Sequence, residues 1–144
     1  MKQMIVLIVG LGRMALDGPV HYWYVTTPIV VMALSGLVWL VRTRARFALA
    51  TRLLLWLIPI FWLLILVMGA VFNADPAGGA KPEDTLAPVR GLVAVGGIGL
   101  LTCLSCVALA RGQRLAAASF ALLGLWIGCW FYFVAAMSVS GVWL

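Results

Sequence analysis

Four apolar runs set the pattern of this chain: Pro28 to Val41, Leu53 to Phe72, Pro88 to Ala110 and Leu115 to Met137. Arginines, prolines and glycines mark their ends. An α-helix rises about 1.5 Å per residue, so about 20 apolar residues cross a hydrocarbon core of about 30 Å. The runs predict transmembrane helices over 28–44, 50–72, 88–110 and 115–138, arranged as two out-in-out hairpins in one all-α integral membrane domain spanning 1–144. Thr27 and Pro28 read as the N-cap and first helical residue of the first span, and Pro88 plays the same first-turn part in the third. Pro59 falls inside the second span, where its missing N–H predicts a kink.

Residues 1–17 form a shorter unit. Their apolar stretch, Met4 to Leu11, has the length of a signal-peptide core, but no A-x-A site follows and Arg13 and Asp17 interrupt, so the segment is expected to be retained. Lys2, Arg13 and Asp17 fall toward one side of a helix that is short for a crossing, which predicts an interfacial helix over 1–17, the alternative being a fifth, partial span with its N-terminus inside. The segment DGPVHYWYVTT, Asp17 to Thr27, joins turn residues to His21, Tyr22, Trp23 and Tyr24, the composition of an aromatic belt at the headgroups. Between the second and third spans, 73–87 (NADPAGGAKPEDTLA) reads as a polar exported loop.

Small residues recur along two spans. Gly96, Gly99, Cys103 and Cys106 in the third, and Ala117, Ala121, Gly124 and Gly128 in the fourth, return at helical spacings of three and four. Such stripes let helix backbones approach where no hydrophobic drive exists between them, so the third and fourth spans are expected to be the tightest pair. A displacement of 70 residues aligns Leu34 with Leu104, Ser35 with Ser105, Arg44 with Arg114 and Trp56 with Trp126, which suggests that the second hairpin repeats the first.

Charge orients the helices. The composition is 65% hydrophobic and 10% charged, outside the range of soluble domains, so the net +6 belongs to helix ends rather than to a nucleic-acid surface. Arg42, Arg44, Arg46 and Arg52 lie within eleven residues, and centring one of them in the bilayer costs roughly 2.5–3.5 kcal/mol on insertion scales. With Arg111 and Arg114 in the turn RGQR they form two basic, acid-free connections that must share the cytoplasmic side. All four acids, with Lys2, Arg13, Lys81 and Arg90, then fall outside. This predicts a bacterial inner-membrane protein with both termini periplasmic and its six inner arginines against anionic lipid headgroups.

Candidate chemistry is sparse. Cys103 and Cys106 form a C-x-x-C pair that would share a helix face, with Cys129 at a similar depth on the next span. Three thiols suit a soft metal ion or thiol exchange, yet cysteine is also a small apolar filler for a close helix contact. His21 is the one histidine, too few for paired haem ligation. No ionisable residue stands mid-span, where proton-coupled transporters place theirs. Trp126, Trp130, Phe133 and Met137 repeat at helical spacing as a docking stripe, and His21, Trp23, Trp126 and Trp130 are candidate contacts for a partner or pigment. The sequence predicts no enzyme, metal or cofactor, but a non-catalytic accessory or assembly subunit of a larger membrane complex, of the respiratory or photosynthetic kind, whose partners are lipids and other integral subunits. The alternatives are a small transporter or channel for a neutral or soft solute, with a polar cavity lined by Ser35, Ser105 and the cysteines, and thiol redox or metal handling through Cys103, Cys106 and Cys129.

Overall fold

A computed structural model of the chain describes residues 2–43, 47–73 and 82–141. It contains five helices, α1 (Lys2–His21), α2 (Trp23–Thr43), α3 (Leu49–Val71), α4 (Pro82–Leu109) and α5 (Arg114–Ser140). All five are long and apolar enough to cross a membrane, and no strand occurs among the described residues. In hydrocarbon a helix satisfies its own backbone groups, so apolar runs of this length settle into the one element that leaves none unpaired.

The helices α3, α4 and α5 pack as a three-membered core. α3 and α5 run parallel, with Ile58 beside Gly124, Trp62 beside Gly128 and Gly69 beside Ala135. α4 returns antiparallel: Leu92 clusters with Ile65, Ala135 and Val139, whereas Cys106 clusters with Ala110 and Ala117 and its thiol lies 3.9 Å from the Thr51 carbonyl oxygen. α4 and α5 share the most extensive contact of any pair. The ends of α2 and α4 and the starts of α3 and α5 gather at one end, where Trp39 meets the turn 111–114 and the Phe47 ring sits edge-on to Phe120 at 6.4 Å.

α1 lies against α3 and α5, with Leu11 and Ala15 clustered on Leu66, Ala70 and Val134. Moving along α1 and α2, the partners on α5 step the other way: Ala15 at Val134, Gly18 at Trp130, Thr26 at Trp126, Gly36 at Ala116 and Ser119. The two helices therefore descend α5 in one sense, broken at Tyr22 halfway along its 27 residues. Their joint is clamped by side chains. Trp126 Nε1 donates to Thr26 Oγ1 at 2.9 Å, and Thr26 Oγ1 donates to the Pro19 carbonyl at 2.7 Å.

Several sequence boundaries move. Asp17–His21 complete α1 and Trp23–Thr27 open α2, so the turn and belt expected over 17–27 are helical on both sides of Tyr22, and the N-terminal helix extends beyond 17 to pack on the bundle. Turn-forming residues there lose to the demand for internal hydrogen bonds: Tyr22 N–H still reaches the Gly18 carbonyl at 2.9 Å. α4 opens at Pro82, which takes the first-turn place assigned to Pro88, so the expected loop 73–87 is shortened by its last six residues. The two predicted hairpins also differ. α4 and α5 pack along their length, but α2 and α3 share no contact among the described residues, so the first pair is not a packed hairpin like the second.

Two packing points are testable. A Cβ at Gly69 would lie 2.9 Å from Ala135 Cα, backbone that cannot swing aside, so Gly69→Ala is expected to cost about 1–3 kcal/mol. Gly97 has open space, and Gly97→Ala should stay within about 0.5 kcal/mol of the parent; thermal unfolding in detergent compares them. Thr26→Val removes the acceptor of the Trp126 N–H and the donor to Pro19, a loss of about 1–3 kcal/mol, whereas Thr26→Ser should retain most of it in the same assay.

Candidate functional site

The helix break gives the molecule its most unusual surface. On α1, Arg13, Asp17 and His21 follow one another at four-residue intervals and so share a face, opposite the Leu11, Ala15 and Gly18 side that packs inward. All three are exposed, and none has an ion-pair partner among the described residues. The stripe runs on into Tyr22, Trp23 and Tyr24, also exposed, at the height of Trp126 and Trp130 on α5. The aromatic end of this stripe stands open at mid-length of α5, and its Arg13 end lies toward the level of Leu66, Ala70 and Val134.

Behind this surface the rings are locked together. Trp130 lies against Gly18, stacks on Tyr22 at a centroid distance of 5.3 Å, and meets Trp126 edge-on at 6.0 Å. A side chain at residue 18 would occupy the space of the indole, so this glycine is required by close approach. His21 and Tyr24 contact the Tyr22 ring edge-on at 5.2 and 6.0 Å. The expected docking stripe is therefore split. Trp126 and Trp130 are covered by the chain's own α1 and α2, while His21 and Trp23 remain open. Trp130 Nε1 is buried without a hydrogen-bond partner. Gly18 and Thr26 were not legible as functional positions, because D-G-P reads as a turn and a lone threonine carries no spacing signal.

The small-residue stripes receive rings and branched side chains rather than bare backbone. Gly124 and Gly128 seat Ile58 and Trp62 of α3, Gly96 seats Tyr132 of α5, and Gly99 faces Phe61 of α3. Ala117 and Cys106 share one core cluster, Ala121 and Cys103 another. Cys103 and Cys106 are buried, whereas Cys129 is exposed. Cys103 and Cys129 line an apolar groove of about 460 Å³ between α3, α4 and α5, and Trp62 and Tyr132 close its sides. Ser35 lies elsewhere, on α2, and Ser105 is exposed on α4, so these serines do not join the cysteines in one cavity. Among the described residues no three histidine, cysteine or acidic side chains gather as a metal site.

The arginines are placed at the gathered helix ends. Arg42 closes α2, Arg52 sits in the first turn of α3, and Arg111 and Arg114 flank the α4–α5 turn; all four are exposed. Arg44 and Arg46 lie outside the described residues. Arg111 and Arg114 meet in one concavity, a cavity of about 710 Å³ between the ends of α2 and α5 that also takes in Trp39, Ser35 and Ser119. Gly112 makes the turn at φ +75°, a left-handed conformation that only glycine adopts without strain. Comparison with protein-family models, curated proteins and solved structures finds no match to this chain.

Proposed function

We propose that the protein is a non-catalytic accessory or assembly subunit of a larger integral membrane complex, and that the face formed by α1 and the start of α2 is where a partner helix docks. The carrying observation is the exposed stripe Arg13, Asp17 and His21 continuing into Tyr22, Trp23 and Tyr24. Ionisable groups at membrane depth are costly in lipid, and where they occur they face other helices and pair there. Opposite charges four residues apart, with open aromatic rings beside them, suit a transmembrane partner that offers a carboxylate to Arg13 or His21 and a donor to Asp17.

The reading has a topological half. We take α1 and α2 together as one bent crossing, because both descend α5 in the same sense, so the five helices make four crossings. Arg42, Arg52, Arg111 and Arg114 gather at one end and support assigning that end to the cytoplasm, with both termini on the periplasmic face of a bacterial inner membrane.

Two experiments test these halves. Alkaline phosphatase fused after Leu144 should be active and the same fusion in the 110–113 turn inactive; the reverse pattern overturns the topology. A photo-crosslinking residue at Tyr24 in native membranes should form an adduct with one other integral membrane protein, and Arg13→Ala with Asp17→Ala should abolish it at unchanged protein level. The same probe at Leu101, an exposed lipid-facing control on α4, should give no such adduct. Self-adducts or lipid adducts alone at Tyr24 would remove the accessory role.

A further inference from the structure

We propose that the cavity between the gathered ends of α2 and α5 binds the phosphate of an anionic phospholipid, with part of its apolar chain laid along α2. This site is separate from the α1 stripe and rests on different observations. The cavity, about 710 Å³, lies within the size range of small-molecule sites. Its two ends differ in chemistry. Arg111 and Arg114 stand at one end with Trp39, and Val31 and Met32 line the other. Trp39 and Val31 are eight residues apart on α2, so the change from cationic to apolar wall extends over about 12 Å.

Charge balance points to an anion from outside the chain. No acidic residue occurs between Asp17 and Asp75 or after Glu83 and Asp84, so the sequence supplies none at this end of the bundle. Neither Arg111 nor Arg114 has an ion-pair partner among the described residues. Two guanidiniums with a free tryptophan beside them match a phosphate at the membrane surface, where planar donors pair with its oxygens and the indole sits at headgroup level.

The apolar half separates a lipid from free phosphate. Inorganic phosphate uses only the arginines, and would leave the exposed Val31 and Met32 uncovered. That surface is fixed in shape. Gly36 approaches α5 so closely that a Cβ there would lie 2.6 Å from Ser119 Oγ, which holds the two helices in register along the cavity. The Ser35 and Ser119 hydroxyls already donate to the carbonyls of Val31 and Ala116, each at 2.8 Å, so their protons are committed and recognition of the phosphate falls to the two arginines.

Native mass spectrometry of the full chain in detergent tests the site with phosphatidylglycerol, phosphatidylethanolamine and inorganic phosphate as probes. Phosphatidylglycerol should remain bound in preference to the zwitterionic lipid. Arg111→Gln with Arg114→Gln should weaken that binding roughly 25-fold, since each basic side chain near an anionic surface contributes about a factor of five. Arg52→Gln makes a like change of charge outside the cavity and should have no effect. Met32→Trp leaves both arginines in place but fills the apolar end, and should also displace the lipid. Equal binding of the two lipids, or retention by the double arginine variant, overturns the proposal. Displacement of phosphatidylglycerol by inorganic phosphate, with Met32→Trp silent, overturns the lipid assignment in favour of free phosphate.

Discussion

One helix touches all the others, and this is possible only because its side chains are small on several sides. α5 presents Ala116 and Ser119 to Gly36 of α2, Ala121 to Ile58 and Cys103, Gly124 and Gly128 to Ile58 and Trp62 of α3, and Ala135 to Gly69. Between helices in lipid no apolar surface is removed from water, so attraction comes from dispersion and from the few hydrogen bonds that survive. Both need short distances. Where α5 turns large, at Trp126 and Trp130, its neighbour compensates with Gly18 and with a hydrogen-bonding threonine, and the contact stays close. The same economy appears at Ser138, whose hydroxyl contacts the Gly69 carbonyl at 2.8 Å and Asn73 Oδ1 at 2.7 Å near the opposite end of the helix.

The sequence made the helical class legible and left the assembly of the helices partly hidden. Length and the absence of charge locate α3 and α5 to within two residues of the bounds they have. The N-terminal third was harder, because Asp-Gly-Pro and Thr-Pro are boundary signals in water, whereas Pro19 and Pro28 both lie inside helices here. A proline withdraws one donor, but ending a helix at membrane depth would leave several backbone groups unpaired, so the helix continues. The glycine stripes were visible as stripes. What they face was not, because periodicity gives the side of a helix and says nothing of the neighbour's side chain: Gly124 and Gly128 accept Trp62, a residue that by itself reads as lipid-facing bulk.

The candidate sites divide in the same way. Arg111 and Arg114 were recognisable from the rule that keeps cations out of hydrocarbon, and their place at one end of the bundle follows from the short turn between α4 and α5. The cavity they border depends on α2 lying along α5 instead of pairing with α3, and nothing in the pattern of α2 selects one neighbour over the other. The polar stripe on α1 had its residues in plain view. Its height did not follow, since a belt at the headgroups and a joint midway along α5 share one composition and differ only in which ring stacks on Trp130.

The break at Tyr22 ties these features together. A straight 42-residue helix would extend about 63 Å, against roughly 40 Å for the 27-residue α5 it lies along, so α1 and α2 need a change of direction to stay beside it. Bending at Tyr22 achieves this, and it also frees the Pro19 carbonyl, which the Thr26 hydroxyl then satisfies. Thr26 is in turn held by Trp126, so the angle of the joint is set from α5. On the outer side of the bend His21, Trp23 and Tyr24 stay exposed, whereas Tyr22 lies back on Trp130. A joint fixed from within and left polar without is a surface whose shape is already determined before anything meets it, which is the condition under which a second helix binds with little loss of conformational freedom.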